Sequence, residues 1–168
     1  PEAQSFGLIY NTSEDNSLSV IAQVKGYLEG AGLSYTEGAV TTSADVQTSA
    51  RNLLGKCDAL FVPIDNTVAS AMAVLADEAI QAKKPVYVAA DSLVADGGLA
   101  AVGVNYTNLG SQTADMVLKI VTGTPVSQVP VEVLRDNNLV INGDTARAIG
   151  VDISQYGPND ATFVSSVA

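Results

Sequence analysis

The chain has 168 residues, 47% of them hydrophobic and 15% charged, which suits one domain with a sizeable core or a domain plus a tail. The acidic residues outnumber the basic ones by 18 to 8, giving a formal charge of −10, and 5% of residues are aromatic, so the clustered cations that hold nucleic-acid phosphates are missing. Histidine is absent and Cys57 is the single cysteine, which excludes Ser-His-Asp and Cys-His triads, His-containing or four-thiolate zinc sites, and an intrachain disulfide.

Strand-like and helix-like patterns alternate from the start. Phe6–Tyr10 is a short apolar run that passes into the polar stretch Asn11–Ser17. Leu18, Ile21, Ala22, Val24, Tyr27, Leu28 and Ala31 recur at helical spacing and Gly32 supplies a stop. Leu33–Val40 reads as a second strand. Thr41-Thr42-Ser43 then caps a helix carrying Val46, Ala50, Leu53 and Leu54. Ala59–Val62 is a third strand closed by Pro63, and Thr67–Ala82 a helix with Val68, Met72, Leu75, Ala76 and Ala79 on one side. Val86–Ala90 and Ala100–Val104 are the fourth and fifth strands, with a short helical turn between them, and Thr113–Val121 is a further amphipathic helix.

After Gly123 the pattern changes. Val129–Val133 and Leu139–Ile141 read as strands separated by the polar turn Arg135–Asn138, and a short helix covers Asp144–Ile149. Residues 154–168 are rich in Gly, Pro, Asn and Ser and lose periodicity, so they are expected to form a surface tail behind a single lobe spanning residues 1–153. Short apolar strands joined by single helices are the mark of βαβ units. The predicted fold class is therefore α/β, a parallel sheet with helices on both faces. No apolar run approaches the roughly 20 residues that cross a bilayer, and Pro1–Gly7 has no leader-like character.

Ligands of parallel α/β sheets sit beyond the carboxyl ends of the strands, at helix N-termini whose unpaired N–H groups attract anions. Here that edge carries Asn11–Ser17, Asp65-Asn66-Thr67 and Asp91-Ser92. Helix starts can hold a carboxylate and Asp65 or Asp91 an ammonium, so together the loops suit a zwitterion such as an amino acid. The same residue types also cap helices, and capping alone accounts for any one loop; three on one edge point toward binding. There is no GxxxxGK[ST], and Gly97-Gly98 and Gly103 lack the setting of a dinucleotide site, so no cofactor is expected. Glu14-Asp15 lacks the further carboxylates of a calcium loop, so no metal is expected either. Cys57, beside Asp58 and before a strand, reads as a buried inert thiol.

Four segments in order carry a resemblance. They are Leu8–Ser17, Val62–Ala71, Val102–Ala114 and Leu139–Asn142. Over about residues 6–153 the sequence resembles the second half of ABC-transporter substrate-binding proteins of the tryptophan/aromatic-amino-acid type. The resemblance implies the carboxyl-terminal lobe of a type I periplasmic-binding fold, with the ligand in a cleft between two lobes. It implies that Ser13, Asn16 and Ser17 hold the ligand's carboxylate or another polar group, that Asp65 and Asn66 line the cleft wall, and that Asp91 approaches the amine. Ala89-Ala90-Asp91-Ser92 departs from the Gly-Asp/Glu-containing stretch of relatives, which leaves the identity of the amino acid open. It further implies an ABC permease as partner and an extracytoplasmic location, periplasmic or as a cell-surface lipoprotein, with the leader not in this chain. Residues 106–123 would cross toward a first lobe. The chain is thus expected to be a lobe cut near a hinge, the alternative being a natural single-lobe relative, and prone to self-association through its unpacked helix. Two other classes compete: the effector-sensing domain of a transcription regulator of the same fold, and an α/β enzyme using Asp65 or Asp91 as acid or base. The absence of any nucleophile–base pair favours a non-enzymatic binding protein.

Overall fold

The alternation read from the sequence becomes a seven-stranded sheet. In the computed structural model, which describes residues 3–104, 106–133 and 137–166, the chain runs β1 (Ser5–Asn11), α1 (Asp15–Gly30), β2 (Ser34–Val40), α2 (Ser43–Leu54), β3 (Ala59–Val62), α3 (Asn66–Ala69) and α4 (Met72–Gln81). It continues as β4 (Val86–Val88), α5 (Asp91–Ala95), β5 (Ala100–Val104), α6 (Tyr106–Val121), β6 (Asn137–Asn142), α7 (Gly143–Ile149) and β7 (Thr162–Val164). The strand order is β2-β1-β3-β4-β5-β6-β7. Neighbours are parallel except β5 and β6, whose antiparallel register sets Val104 opposite Asn137. The carboxyl ends of β1, β3, β4 and β5 therefore lie on one edge, the place where an α/β sheet takes its ligand.

Alternation along each strand sorts side chains to two faces. Ile9, Leu60, Val62, Val86, Val88 and Ala101 pack with Val46 and Leu53 of α2, Leu75 of α4 and Val94 of α5 in the main core. On the other face Leu8 and Tyr10 pack against Ile21, with Phe6, Val24, Leu28 and Phe61 around them. Leu99, Ala146 and Ile149 form a third cluster under α7. Cys57 is buried, as expected of an inert thiol. Gly97 is needed where α5 turns into β5: its φ is +109°, and a Cβ there would come within 2.5 Å of the Ala76 methyl.

Several expected elements change. The helix expected over Thr67–Ala82 is split into α3 and α4 at Ser70-Ala71, where the Ser70 hydroxyl donates to the Thr67 carbonyl at 2.8 Å. Val129–Val133 forms no strand; Val131 is 93% exposed, and among the described residues the segment joins no ladder. Of the expected turn Arg135–Asn138, Asn137 and Asn138 join β6, while Arg135 and Asp136 lie outside the described residues. The stretch after Ser154 does not remain a tail: Thr162–Val164 returns to the sheet as β7, parallel to β6. Its three residues are too short a run to show periodicity, and only the long-range pairing makes them a strand.

Three exposed carboxylates brace this frame and set its acid response. Asp58 accepts the Gln4 and Ser5 N–H groups and the Ser5 hydroxyl at 2.8–3.0 Å, Asp45 accepts from Thr42 and Thr41, and Glu37 accepts from the Tyr10 hydroxyl and Lys25. These donors hold all three below their ordinary values, chiefly the Gln4 N–H for Asp58, the Thr42 hydroxyl for Asp45 and the Tyr10 hydroxyl for Glu37. A folded pKa below the unfolded one adds stability that is present above the unfolded carboxylate value, about 4, and is lost as pH falls through the folded value. Thermal midpoints should therefore hold near neutrality and fall as the pH drops into the carboxylate range; a midpoint unchanged down to strong acid would contradict these bonds.

Candidate functional site

Two loops at the sheet edge are tied together by side chains that the sequence places more than forty residues apart. Asp65, 1% exposed, caps α3 by accepting the Val68 N–H at 2.9 Å. Its other oxygen accepts the Asn11 N–H at 2.7 Å and the Ser17 hydroxyl at 2.8 Å. The Asn11 side chain donates to the Thr67 hydroxyl and accepts the Ser13 N–H, both at 2.8 Å. Asn16 donates from its side chain to the Ile64 carbonyl at 2.6 Å. In the opposite direction, the Glu14 carboxylate accepts the Asn66 N–H and side-chain amide at 3.0 Å, the Thr67 N–H at 3.1 Å and the Thr67 hydroxyl at 3.2 Å. Those donors, the Asn66 N–H first, hold Glu14 below the usual glutamate value.

This geometry sorts the residues predicted from sequence. Ser13, Asn16, Ser17, Asp65 and Asn66 come together in one cluster. Ser17 and Asp65 are buried and spend their polar atoms on each other and on the loop backbone, which ties the two loops together. Asn66 is exposed, but its amide is engaged by Glu14. Ser13 and Asn16 are exposed at the start of α1, where no side chain caps the helix and the first-turn N–H groups stay open. Asp91 stands apart, after β4, the strand next to β3: half-buried, it lines a cleft of about 290 Å³ with Gly103, Tyr106, Thr107, Asn138, Val140 and Thr162. One Asp91 oxygen accepts the Ser92 N–H at 2.8 Å. Sequence reasoning put Asn11, Glu14 and Thr67 in the edge loops without giving any of them a role, and missed the Tyr106–Thr107 wall of the cleft. Among the described residues no group of three His, Cys, Asp or Glu side chains could hold a metal.

Residues 1–161 match the family described as ABC transporter substrate binding protein. The chain belongs to this family of binding proteins. A relative named tyrosine-binding protein, from Clostridioides difficile, is 30% identical over 166 residues, covering 99% of this chain and 48% of that protein. A ligand-free, open substrate-binding protein with adhesive properties from Clostridium difficile superposes with a TM-score of 0.86 at 36% identity, covering 99% of this chain and 56% of the other. An ABC domain in complex with L-Trp from Streptococcus pneumonia gives a TM-score of 0.84 at 32% identity, covering 98% and 56%. The chain spans about half the length of the curated relatives it matches. Membership brings the periplasmic-binding-like α/β fold, agrees with a non-enzymatic binding role, and favours solute binding over the effector-sensing alternative.

Proposed function

We propose that this chain is one lobe of an extracytoplasmic receptor that captures an aromatic amino acid in an interlobe cleft and delivers it to an ABC permease. The observation that carries the reading is the pair of cross-tied loops at the ligand edge of the sheet, in a family member whose relatives include a tyrosine-binding protein and a domain complexed with L-Trp. In this reading the open first turn of α1, with Ser13 and Asn16, holds the ligand's carboxylate. Asn66 forms part of the wall, and Asp91 meets the ammonium from the neighbouring cleft, whose lining among the described residues includes no basic side chain. No helix among the described residues is long and apolar enough to cross a membrane.

Two bare surfaces support a second lobe. Between β5 and β6 the chain leaves the sheet, and α6 buries none of its side chains; Val117, Leu118 and Val121 are 53%, 58% and 72% exposed. The sheet face beside α1 is also open. Phe61, Tyr87, Val102, Ile141 and Tyr156 line a groove there of about 610 Å³. Apolar surfaces of this kind mark contacts with another body.

Calorimetry on the intact receptor with tyrosine, tryptophan and a small aliphatic amino acid tests the reading. Tight binding of an aromatic amino acid is expected, and Asn16→Ala and Asp91→Asn should each weaken it about tenfold or more through loss of a hydrogen bond to a charged group. Full affinity in both variants would remove these loops from the site.

A further inference from the structure

Glu14 is placed oddly for a residue at the head of a long helix. It is the N-cap of the sixteen-residue α1, yet its side chain makes no capping bond to that helix. The carboxylate reaches instead to the loop after β3 and gathers four donors from Asn66 and Thr67. Asp65 of that loop reaches back to Asn11 and Ser17. The two carboxylates therefore cross between the loops in opposite directions, each anchoring the loop it does not belong to.

We propose that Glu14 is a positioning residue for amino-acid binding: its carboxylate makes the two loops one preformed shelf, fixing Asn66 and Thr67 in the geometry the ligand meets. The proposal rests on the reading of these loops as the ligand edge. α3, which Asn66 and Thr67 begin, has four residues, too few to be stable by itself, so its start takes its shape from outside partners. Without Glu14 the Asn66 and Thr67 N–H groups lose their acceptor, and ordering that segment becomes part of the cost of binding. Glutamine is no substitute, because its amide offers one acceptor oxygen and would turn an NH2 group toward the remaining N–H and O–H donors. The lowered pKa of Glu14 keeps it ionised, the state that accepts all four bonds.

A carboxylate that merely capped α3 would affect stability alone, and the test is built on that difference. Glu14→Gln and Glu14→Ala are made in the intact receptor beside Asp58→Asn. Asp58 also gathers three donors, but at the opposite end of β1 and β3. Tyrosine and tryptophan affinities, thermal midpoints and amide exchange are measured for each. Glu14→Gln should weaken binding about tenfold and Glu14→Ala further, with faster exchange at Asn66 and Thr67 and a midpoint loss no larger than that of Asp58→Asn. Asp58→Asn should leave affinity unchanged. Wild-type affinity in Glu14→Ala overturns the proposal, as does a loss of affinity matched equally by Asp58→Asn. A wild-type receptor that binds neither amino acid overturns it too, and that outcome is told apart because it fails at the parent reading before any variant is compared.

Discussion

Asp65→Ala should destabilise the lobe by about 3–5 kcal/mol, before any ligand is present. The carboxylate is fully buried and serves three donors from both loops, the Asn11 and Val68 N–H groups and the Ser17 hydroxyl. Alanine would orphan the Asn11 and Val68 N–H groups and leave the Ser17 hydroxyl only the Ile64 carbonyl at 3.4 Å, and a buried donor left without an acceptor costs about 1–3 kcal/mol. The loss of the α3 cap is included in that figure, because the Val68 bond is the cap. For a chain of this size the thermal midpoint should fall by roughly 10 °C or more. Asp65→Asn keeps the shape and one acceptor oxygen, so it should cost less than alanine. A role for Asp65 only as part of the cleft wall, as the resemblance implies, would instead give weaker binding with the fold intact. A ligand-free midpoint within a degree or two of wild type, with affinity lost, would restore that expectation and sink the structural role.

The inward bonds of Asp65 show where sequence reasoning stops. Residue type and position were enough to put Asp65 at the ligand edge, because strand ends and helix starts are local patterns. Whether its side chain turns inward depends on Asn11 and Ser17, which lie 54 and 48 residues away along the chain. Glu14 was passed over for the same reason: its partners are Asn66 and Thr67, and nothing near it in sequence advertises them. The fold read more easily. Runs such as Ala59–Val62 and helical spacings such as Val46–Ala50–Leu53 are set by burial on a regular element, and they survive into β3 and α2. The misreadings fall where regularity is broken by a non-local event. A seryl hydroxyl bonds back to Thr67 where α3 parts from α4; β7 exists through its pairing with β6; Val129–Val133 has strand composition and joins no ladder among the described residues.

That unpaired segment and the helix before it lead to the second large effect. The 168-residue chain by itself should bind tyrosine or tryptophan no better than the millimolar range, and it should self-associate. In the two-lobe reading the cleft closes on the ligand from both sides. A single lobe supplies part of the contacts, while the ligand's lost freedom costs nearly as much. A Kd near 1 mM corresponds to about −4 kcal/mol, what a few hydrogen bonds from Ser13, Asn16 and the α1 terminus can return. Self-association follows from two apolar surfaces that the lobe leaves uncovered: the Val117-Leu118-Val121 side of α6, and the groove between Phe61, Tyr87 and Tyr156. Burying apolar area is favourable at about 25 cal/mol per Å², and a second copy carries both surfaces. Light scattering over a concentration series should show mass rising with concentration. Leu118→Glu, which puts a charge on the exposed side of α6, should return the chain to a monomer without loss of thermal stability, since that side chain is not packed. A strict monomer that binds an aromatic amino acid at micromolar affinity would mean that the single lobe is a sufficient receptor, and the two-lobe reading would be wrong.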